Sequence, residues 1–427
     1  MADDCTVVRF SNESHSARIE SLKSNDNGDK MSDSVPEFGL FYVLCISLSI
    51  VTYVLDYILA CWLLYYYSVN GQGLYLALTL TFIVLPAILM TAFSMRWYIV
   101  DHDDPSLGKP SVGKWVLRII LLLLQLAPLL RYCDALSYGL RSRVAAVSGN
   151  RQRQSKLYRR MLDEDSNGAL LRLFHCFLHA APQALVQLMI LLQNASEEQA
   201  FTQMSLNVTV LQMWTAICGV VSIAWSLTSY HRSVRYARDD KEKVLWTGTV
   251  VAFCWHLTSA VSRLLALALL ASLRPVWMGA VCVLHWAVMG AWLALGQAQT
   301  AVCASRCEEV LLSTALGLAY ILAFIAPRDG PTRYSYLAYY LVCFMENTGA
   351  LVVWCVTYNS TAYPSLYYGA VVLQVSTFLL SLVFMFMYYR CFHPSAPHRK
   401  CLDTAGPSSS HTDKQMNATY SKAFTHS

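Results

Sequence analysis

Ionisable side chains occur inside long apolar stretches of this sequence. A charged side chain at the centre of a bilayer costs at least roughly 2.5–3.5 kcal/mol, so such groups are normally paired within the protein or face a polar cavity. A set of them could also replace water around a polar cargo that crosses the membrane. The six candidates for this role are Asp56, His175, His179, His256, Arg263 and Glu346.

The spacing of these residues places several of them on common helix faces. His175 and His179 are four residues apart, and His256 and Arg263 are seven apart, so each pair shares one face of a helix. Two histidines at this spacing can also bind a metal ion, but no third ligand is identifiable. We therefore predict no metal site and no cofactor.

Two interpretations of the six residues remain open. In the first, they pair across helices and fix the packing, for example Asp56 or Glu346 with Arg263. In the second, they line a hydrophilic track through the protein. If every group were neutralised by a neighbour and sealed from both water and lipid, only the packing role would remain.

The composition indicates which structural elements must position these residues. Of 427 residues, 56% are hydrophobic and only 14% are charged, whereas a soluble domain carries about 25% charged residues. A cytosolic enzyme and a disordered protein are both excluded, and the class that remains is a polytopic helical membrane protein. No catalytic signature is present, so we predict a non-enzymatic protein without a nucleic-acid partner.

Ten hydrophobic stretches follow one another along the chain. A helix needs roughly 20 residues to cross a hydrocarbon core of about 30 Å, and the third and eighth stretches are marginal by this criterion. The stretches are Phe38–Val69, Leu74–Val100, Trp115–Leu130, Leu170–Gln193, Asn207–Tyr230, Val244–Leu273, Val276–Leu295, Val310–Ala326, Tyr336–Tyr358 and Ser365–Tyr389.

The distribution of basic residues predicts the topology. The connector Arg131–Gly168 is strongly basic and should be cytosolic. This placement is consistent with the other connectors only if the third and eighth stretches enter and leave on the cytosolic face. We predict an all-α membrane domain, 38–390, with eight transmembrane helices and two re-entrant helices. Its halves, 38–230 and 244–390, would be pseudo-symmetric.

The polar termini, 1–37 and 391–427, are predicted to be disordered cytosolic tails. The N-terminal tail contains Asp-Asn-Gly-Asp, ending at Asp29, which has the form of a caspase cleavage site. A solvated acidic stretch is the alternative interpretation. Asn194 and Asn359 begin glycosylation sequons on the predicted outer face.

Several segments resemble the XK-related (Kell-associated) membrane protein family and its phospholipid scramblase branch, in order along the chain. They are SMRWYIVD (Ser94–Asp101), LLRYCDALSYGLRSR (Leu129–Arg143), LLRLFHCFLHAAPQALVQL (Leu170–Leu188), WTGTVVAFCWH (Trp246–His256) and TRYSYLAYYLVCFMEN (Thr332–Asn347). The resemblance implies eight spanning and two re-entrant helices in two halves. It also implies two Glu at the positions of His175 and His179, and a second Asp at Ala60, so the chain departs from the family at these places.

The resemblance implies lipid scrambling at the plasma membrane, started by caspase cleavage of a cytosolic tail. In this hypothesis the six charged and histidine residues line the path of the phospholipid headgroup, and phosphatidylserine is exposed during apoptosis. One alternative is a carrier or channel for a small polar solute. Another is a non-conducting partner of a single-span membrane glycoprotein.

Overall fold

The structure is a computed structural model that describes residues 38–102, 112–124, 126–195, 203–237, 244–296, 317–325, 333–358 and 364–392. All regular secondary structure in these ranges is helical. Asp29 and Asn359 lie outside the described residues, as do the two predicted tails apart from residues 391 and 392. Those two residues belong to the last helix.

Eleven α-helices occupy the described ranges. They are α1 (Leu40–Val69), α2 (Gly73–His102), α3 (Val112–Leu123), α4 (Ala127–Val147), α5 (Arg151–His175), α6 (Ala181–Asn194), α7 (Gln203–Ala237), α8 (Trp246–Leu273), α9 (Pro275–Gly296), α10 (Arg333–Thr357) and α11 (Pro364–Met387). Two π-helical segments, Cys176–Ala180 and Tyr388–Phe392, continue α5 and α11.

Eight helices are long and apolar enough to cross a membrane, with the joined α5 and α6 counted as one. The prediction of eight spanning helices is therefore confirmed in length and composition. The third predicted stretch is not one of them. It is divided between α3, which has 12 residues and is about 18 Å long, and the start of α4, where Pro128 occupies the first turn. Of the eighth stretch, Val310–Ala326, only residues 317–325 are described, and they contain one short helical turn.

The connector Arg131–Gly168 is not a loop but part of a helical hairpin formed by α4 and α5. Gly149 adopts a φ of 70° in the turn, a conformation that glycine reaches without steric cost. Asn150 caps the second helix, because its side chain accepts a hydrogen bond from the backbone N–H of Arg153 at 3.0 Å. The fourth predicted stretch is the second half of an unbroken helical run, Arg151–Asn194, of 44 residues.

Aromatic contacts bring the start of α1 onto this hairpin. The Phe38 ring packs on α4 at Gly139, where an added Cβ would lie 2.5 Å from the ring. The hydroxyls of Tyr42 and Tyr158 are hydrogen-bonded at 2.9 Å, and the Tyr42 ring also packs edge-on against Tyr236 at the end of α7. The N-terminal end of α1 and the hairpin therefore lie at the same end of the molecule.

The last helix returns to that end as well. Tyr236 donates a hydrogen bond to the carbonyl of Val244 just before α8, and Phe392 contacts α8 at Gly248. Both ends of the described chain are thus on one face of the bundle, as an even number of crossings requires.

A close approach between α7 and the π-helical segment Cys176–Ala180 joins two of the buried helices. A Cβ on Gly219 would lie 3.0 Å from the carbonyl oxygen of Ala180 and 3.0 Å from the Cβ of Ala184. Only glycine allows the two backbones to come so near. The lack of a side chain at Gly219 therefore allows the close packing of α7 on the joined helix α5–α6.

We expect Gly219→Leu to destabilise the protein by about 1–3 kcal/mol, because the new side chain would overpack this contact. The matched control is Gly349→Leu in α10, where nothing lies within 4 Å of the added Cβ. Thermal unfolding in detergent, followed by size-exclusion chromatography, measures both. Equal melting temperatures for the two variants would contradict the packing described.

Candidate functional site

Asp56, His175 and His179 lie together between α1 and the joined helix α5–α6. Oδ2 of Asp56 is 3.5 Å from Nε2 of His175, and the His175 and His179 rings stack with centroids 4.6 Å apart. Nδ1 of His179 is 2.8 Å from the carbonyl oxygen of Phe82, so this nitrogen donates. These three residues, with Arg172, form what we call the first cluster.

Arg172 is the cation of the first cluster and is completely buried. Its guanidinium donates to the carbonyl of Ser49 at 2.5 Å, to the hydroxyl of Thr52, and to the hydroxyl of Ser222 at 3.3 Å. These acceptors are on α1 and α7, so one side chain from α5 ties three helices together.

A small cavity lies beside the first cluster, lined by Asp56, His179, Gln183 and Thr215 among others. Its volume of about 10 Å³ has room for one water molecule. Oδ2 of Asp56 and Nε2 of His175 form no hydrogen bond beyond their mutual contact at 3.5 Å, and Oε1 of Gln183 is buried without a hydrogen-bond partner. The polar groups of the first cluster are therefore incompletely satisfied by the protein.

Arg263 and Glu346 form a second cluster with His285 and Asn347. Of the two partners predicted for Arg263, Asp56 and Glu346, the structure shows Glu346. Nη2 of Arg263 is 2.5 Å from Oε2 of Glu346, and Nη1 donates to Asn347 at 2.9 Å. Nε donates to the carbonyl of Ile321 at 2.7 Å. Arg263 therefore connects α8, α10 and the short segment 317–325.

His285 completes the second cluster from α9. Its Nε2 donates to the carbonyl of Tyr320 at 2.9 Å, and its Nδ1 is 2.9 Å from Oε2 of Glu346. Nη2 of Arg263, a donor, also lies 3.4 Å from Nδ1 of His285. Glu346 is shared by two basic groups, and its side chain remains 20% accessible.

His256 lies apart from both clusters. Its ring stacks on Trp255 with centroids 4.5 Å apart and on His231 with centroids 5.6 Å apart. No carboxylate of the described residues forms an ion pair with it. His256 is thus packed among aromatic rings at the junction of α7 and α8.

The six predicted residues do not line one continuous track in this structure. The first cluster draws on α1, α5, the π-helical segment Cys176–Ala180 and α7, whereas the second draws on α8, α9, α10 and 317–325. Among the described residues, no hydrogen bond or ion pair joins the two clusters. Except for Glu346, each of the six is more than nine-tenths buried.

Several buried charges were not singled out from the sequence. Arg172 lies within the fourth stretch, three residues before His175, and a search of that stretch for every ionisable residue would have found it. Three further charge pairs involve residues of the predicted connectors, although the pairs are buried or half-buried. They are Arg131–Glu164 at 2.8 Å, Arg232–Asp165 at 3.3 Å and Arg118–Asp134 at 3.5 Å.

The pair at Asp134 lies on α4, outside the spanning helices. Burial raises the pKa of the Asp134 carboxyl, and the nearby Glu164 carboxylate raises it further, whereas Arg118 and the Tyr98 hydroxyl oppose the change. Tyr98 donates to Oδ2 of Asp134 at 3.2 Å. The carboxyl is therefore held by its partners against a desolvating environment.

The fold and the two clusters define a polytopic helical membrane protein with charged groups enclosed in its interior. The chain belongs to the XK-related family, whose model, described as XK-related protein, matches residues 44–394.

Two relatives match most of the chain. The chain is 26% identical over 382 residues to cell death abnormality protein 8 of Caenorhabditis elegans, which covers 86% of this chain and 82% of that protein. It is 25% identical over 380 residues to the protein of the same name in Caenorhabditis briggsae, with the same coverage.

We expect the Arg263–Glu346 pair to be strongly coupled. Arg263→Met or Glu346→Leu alone should destabilise by about 3–5 kcal/mol, because each leaves an uncompensated buried charge. The double variant should cost clearly less than the sum of the two. A double-mutant cycle of thermal stability measures this, and additive effects would contradict the pairing. Arg390→Met, at an exposed arginine, is the control.

Arg172→Lys should lower the melting temperature although the charge is kept. A lysine ammonium is compact and cannot reach the three separated acceptors, so buried acceptors on α1 and α7 lose their donors at about 1–3 kcal/mol each. Arg159→Lys, at an exposed position of the same helix, should be neutral. Equal stability of Arg172→Lys and the unaltered protein would show that the guanidinium contacts do not hold these helices.

Proposed function

We propose that the chain is an energy-independent phospholipid scramblase of the plasma membrane that exposes phosphatidylserine during apoptosis. The observation that carries this proposal is membership of the XK-related family together with the likeness, over most of the chain, to proteins named for abnormal cell death. Lipid scrambling is what the family resemblance implies, and the interior charges offer a chemistry that suits it.

The proposed topology includes a role for the helices that are too short to cross the membrane. A helix of 12 residues, such as α3, is too short to cross a core of about 30 Å. We assign α3 with the first turn of α4, and the segment around 317–325, to two re-entrant elements that enter and leave on the cytosolic face. The halves 38–230 and 244–390 then match each other, and both termini are cytosolic.

The described arrangement suits a closed form of such a protein. A phospholipid headgroup needs polar partners along its whole path, while Asp56, His175 and Arg263 are enclosed here. In our proposal, opening separates helices around the two clusters, so that their polar groups replace the water of the headgroup while the acyl chains remain in the bilayer. His179, His256 and Glu346 would extend the same path.

Cleavage of the N-terminal tail after Asp29 by a caspase is the proposed trigger. Asp26 and Asp29 have the spacing of such a site, in a polar segment that precedes the membrane domain. No energy source is needed, because collapse of lipid asymmetry is downhill. A closed state must therefore be imposed until the trigger acts.

We expect the protein beginning at Lys30 to scramble fluorescent phospholipid faster than the full-length chain after reconstitution into liposomes. Dithionite, which bleaches only outward-facing label, measures the rate. In dying cells, Asp29→Ala should reduce staining by a phosphatidylserine probe, and Asp33→Ala serves as the matched control. Unchanged staining with Asp29→Ala would rule out this cleavage site.

Solute flux in the same liposomes distinguishes the alternatives. Flux of ions or small polar solutes without lipid scrambling would indicate a carrier or channel. Absence of both in every form would indicate a non-conducting protein.

A non-conducting partner is the second candidate function, and the enclosed charges favour it. In the second cluster, Arg263 and Glu346 neutralise each other and His285 contacts the carboxylate, as expected for groups that only hold helices together. In this case a single-span membrane glycoprotein should co-purify with the chain. The unsatisfied atoms of the first cluster favour the scramblase instead.

A further inference from the structure

We propose that the acidic N-terminal tail, residues 1–37, docks on a basic surface at the tip of the α4–α5 hairpin. The surface, which we call the basic tip, is residues 141–160. It carries seven cationic residues and no acidic residue. The contact would be autoinhibitory, and that consequence rests on the proposed function, whereas the contact itself does not.

The cations of the basic tip are available to a partner. Six of the seven are exposed, and Arg160 is partly buried; the six are Arg141, Arg143, Arg151, Arg153, Lys156 and Arg159. They are held on two antiparallel helices whose backbone is fixed by the Gly149 turn and the Asn150 cap. The result is a preorganised, single-sign surface of the kind that binds an acidic segment.

The bilayer is a poor partner for this surface. Arg151 is 19 residues before Leu170, where the apolar stretch of the joined helix begins, so about 28 Å of helix separates them. That distance is more than three times the Debye length of about 8 Å at physiological salt. The turn end of the basic tip, with Arg151 and Arg153, therefore favours a partner from the surrounding solution, whereas Arg159 and Arg160 are only about 15–17 Å of helix from Leu170.

The tail has a net charge opposite to that of the basic tip, and it joins the described structure close to that surface. It contains eight acidic and four basic residues, a net charge of −4. It leaves the described structure at Phe38, whose ring packs against Gly139 on α4, two residues before Arg141. A segment tethered at its binding surface has an effective concentration in the millimolar range, so weak exposed ion pairs suffice.

Photo-crosslinking in the full-length protein tests the contact directly. With p-benzoylphenylalanine in place of Ser24, we expect crosslinks that map to residues 141–160 by mass spectrometry and that decrease in high salt. The hairpin variant Arg151→Glu, Arg153→Glu, Lys156→Glu should lower their yield by about tenfold, because ion pairs are lost and like charges repel. Acidic residues at a helix N-terminus are favourable, so the hairpin should remain folded.

Two further variants make the test specific. Arg390→Glu, Arg399→Glu, Lys400→Glu changes the same number of charges elsewhere and should leave the yield unchanged. Asp26→Lys, Asp29→Lys, Asp33→Lys changes the net charge of the tail from −4 to +2 and should by itself lower crosslinking to the unaltered tip, because like charges then repel. Crosslinks that map elsewhere, to lipid, or to the tip irrespective of charge would overturn the proposal.

The scrambling assay separates this inference from the proposed function. The hairpin variant should scramble at the rate of the protein that begins at Lys30, and removal of its tail should add nothing. Crosslinking without scrambling in any form would refute the scramblase and leave the docking contact established. Scrambling that responds to cleavage while no crosslink reaches the tip would refute the docking contact alone.

Discussion

Each arginine buried in this bundle must find its counter-charge and its acceptors within the protein, because lipid offers neither. Arg263 contacts the Glu346 carboxylate and acceptors on two other elements, whereas the printed contacts of Arg172 are neutral acceptors on α1 and α7. An unpaired guanidinium in this setting costs far more than an ordinary packing defect. The hydrogen bonds of the arginines therefore restrict which helices can pack side by side, and apolar side chains occupy the rest of the interfaces.

The two clusters meet this requirement to different degrees. In the second, Arg263 and His285 both contact Glu346, and Asn347 and backbone carbonyls accept the remaining hydrogen bonds. In the first, Oδ2 of Asp56 and Nε2 of His175 have only their mutual contact at 3.5 Å, and Asp56 lines a cavity of one water molecule. The helix between the two histidines is also π-helical, a distortion that is frequent at functional sites. Beside Arg172, which holds α1, α5 and α7 together, the first cluster thus also contains a small cavity and a distorted helix.

Hydrophobic length and basic residues were sufficient to predict eight spanning helices and a broken third stretch. They could not predict that the connector Arg131–Gly168 folds as a hairpin, because its polar composition is equally typical of a loop. Only the structure shows that Gly149 forms the turn and that Asn150 caps the second helix. Arg263 with Glu346 was one of two pairings that the sequence left open. Which one forms depends on how α8 and α10 pack, and a single sequence carries no direct signal of that packing. Arg172 was not predicted, because an arginine in an apolar stretch does not reveal that its acceptors are the neutral groups Ser49, Thr52 and Ser222 on other helices.

The unbroken helix Arg151–Asn194 gives the proposed regulation a physical route. Its N-terminal end carries part of the basic tip, and Arg172 and His175 lie on it, just before the π-helical segment. A displacement of its exposed end would be transmitted along the helix to the first cluster, where Arg172 and His175 contact α1. Because the π-helical segment Cys176–Ala180 interrupts the regular hydrogen-bond ladder, bending should concentrate there rather than at α6. On the proposed scheme, the tail holds the exposed end of this helix and thereby keeps the Asp56–His175 region closed.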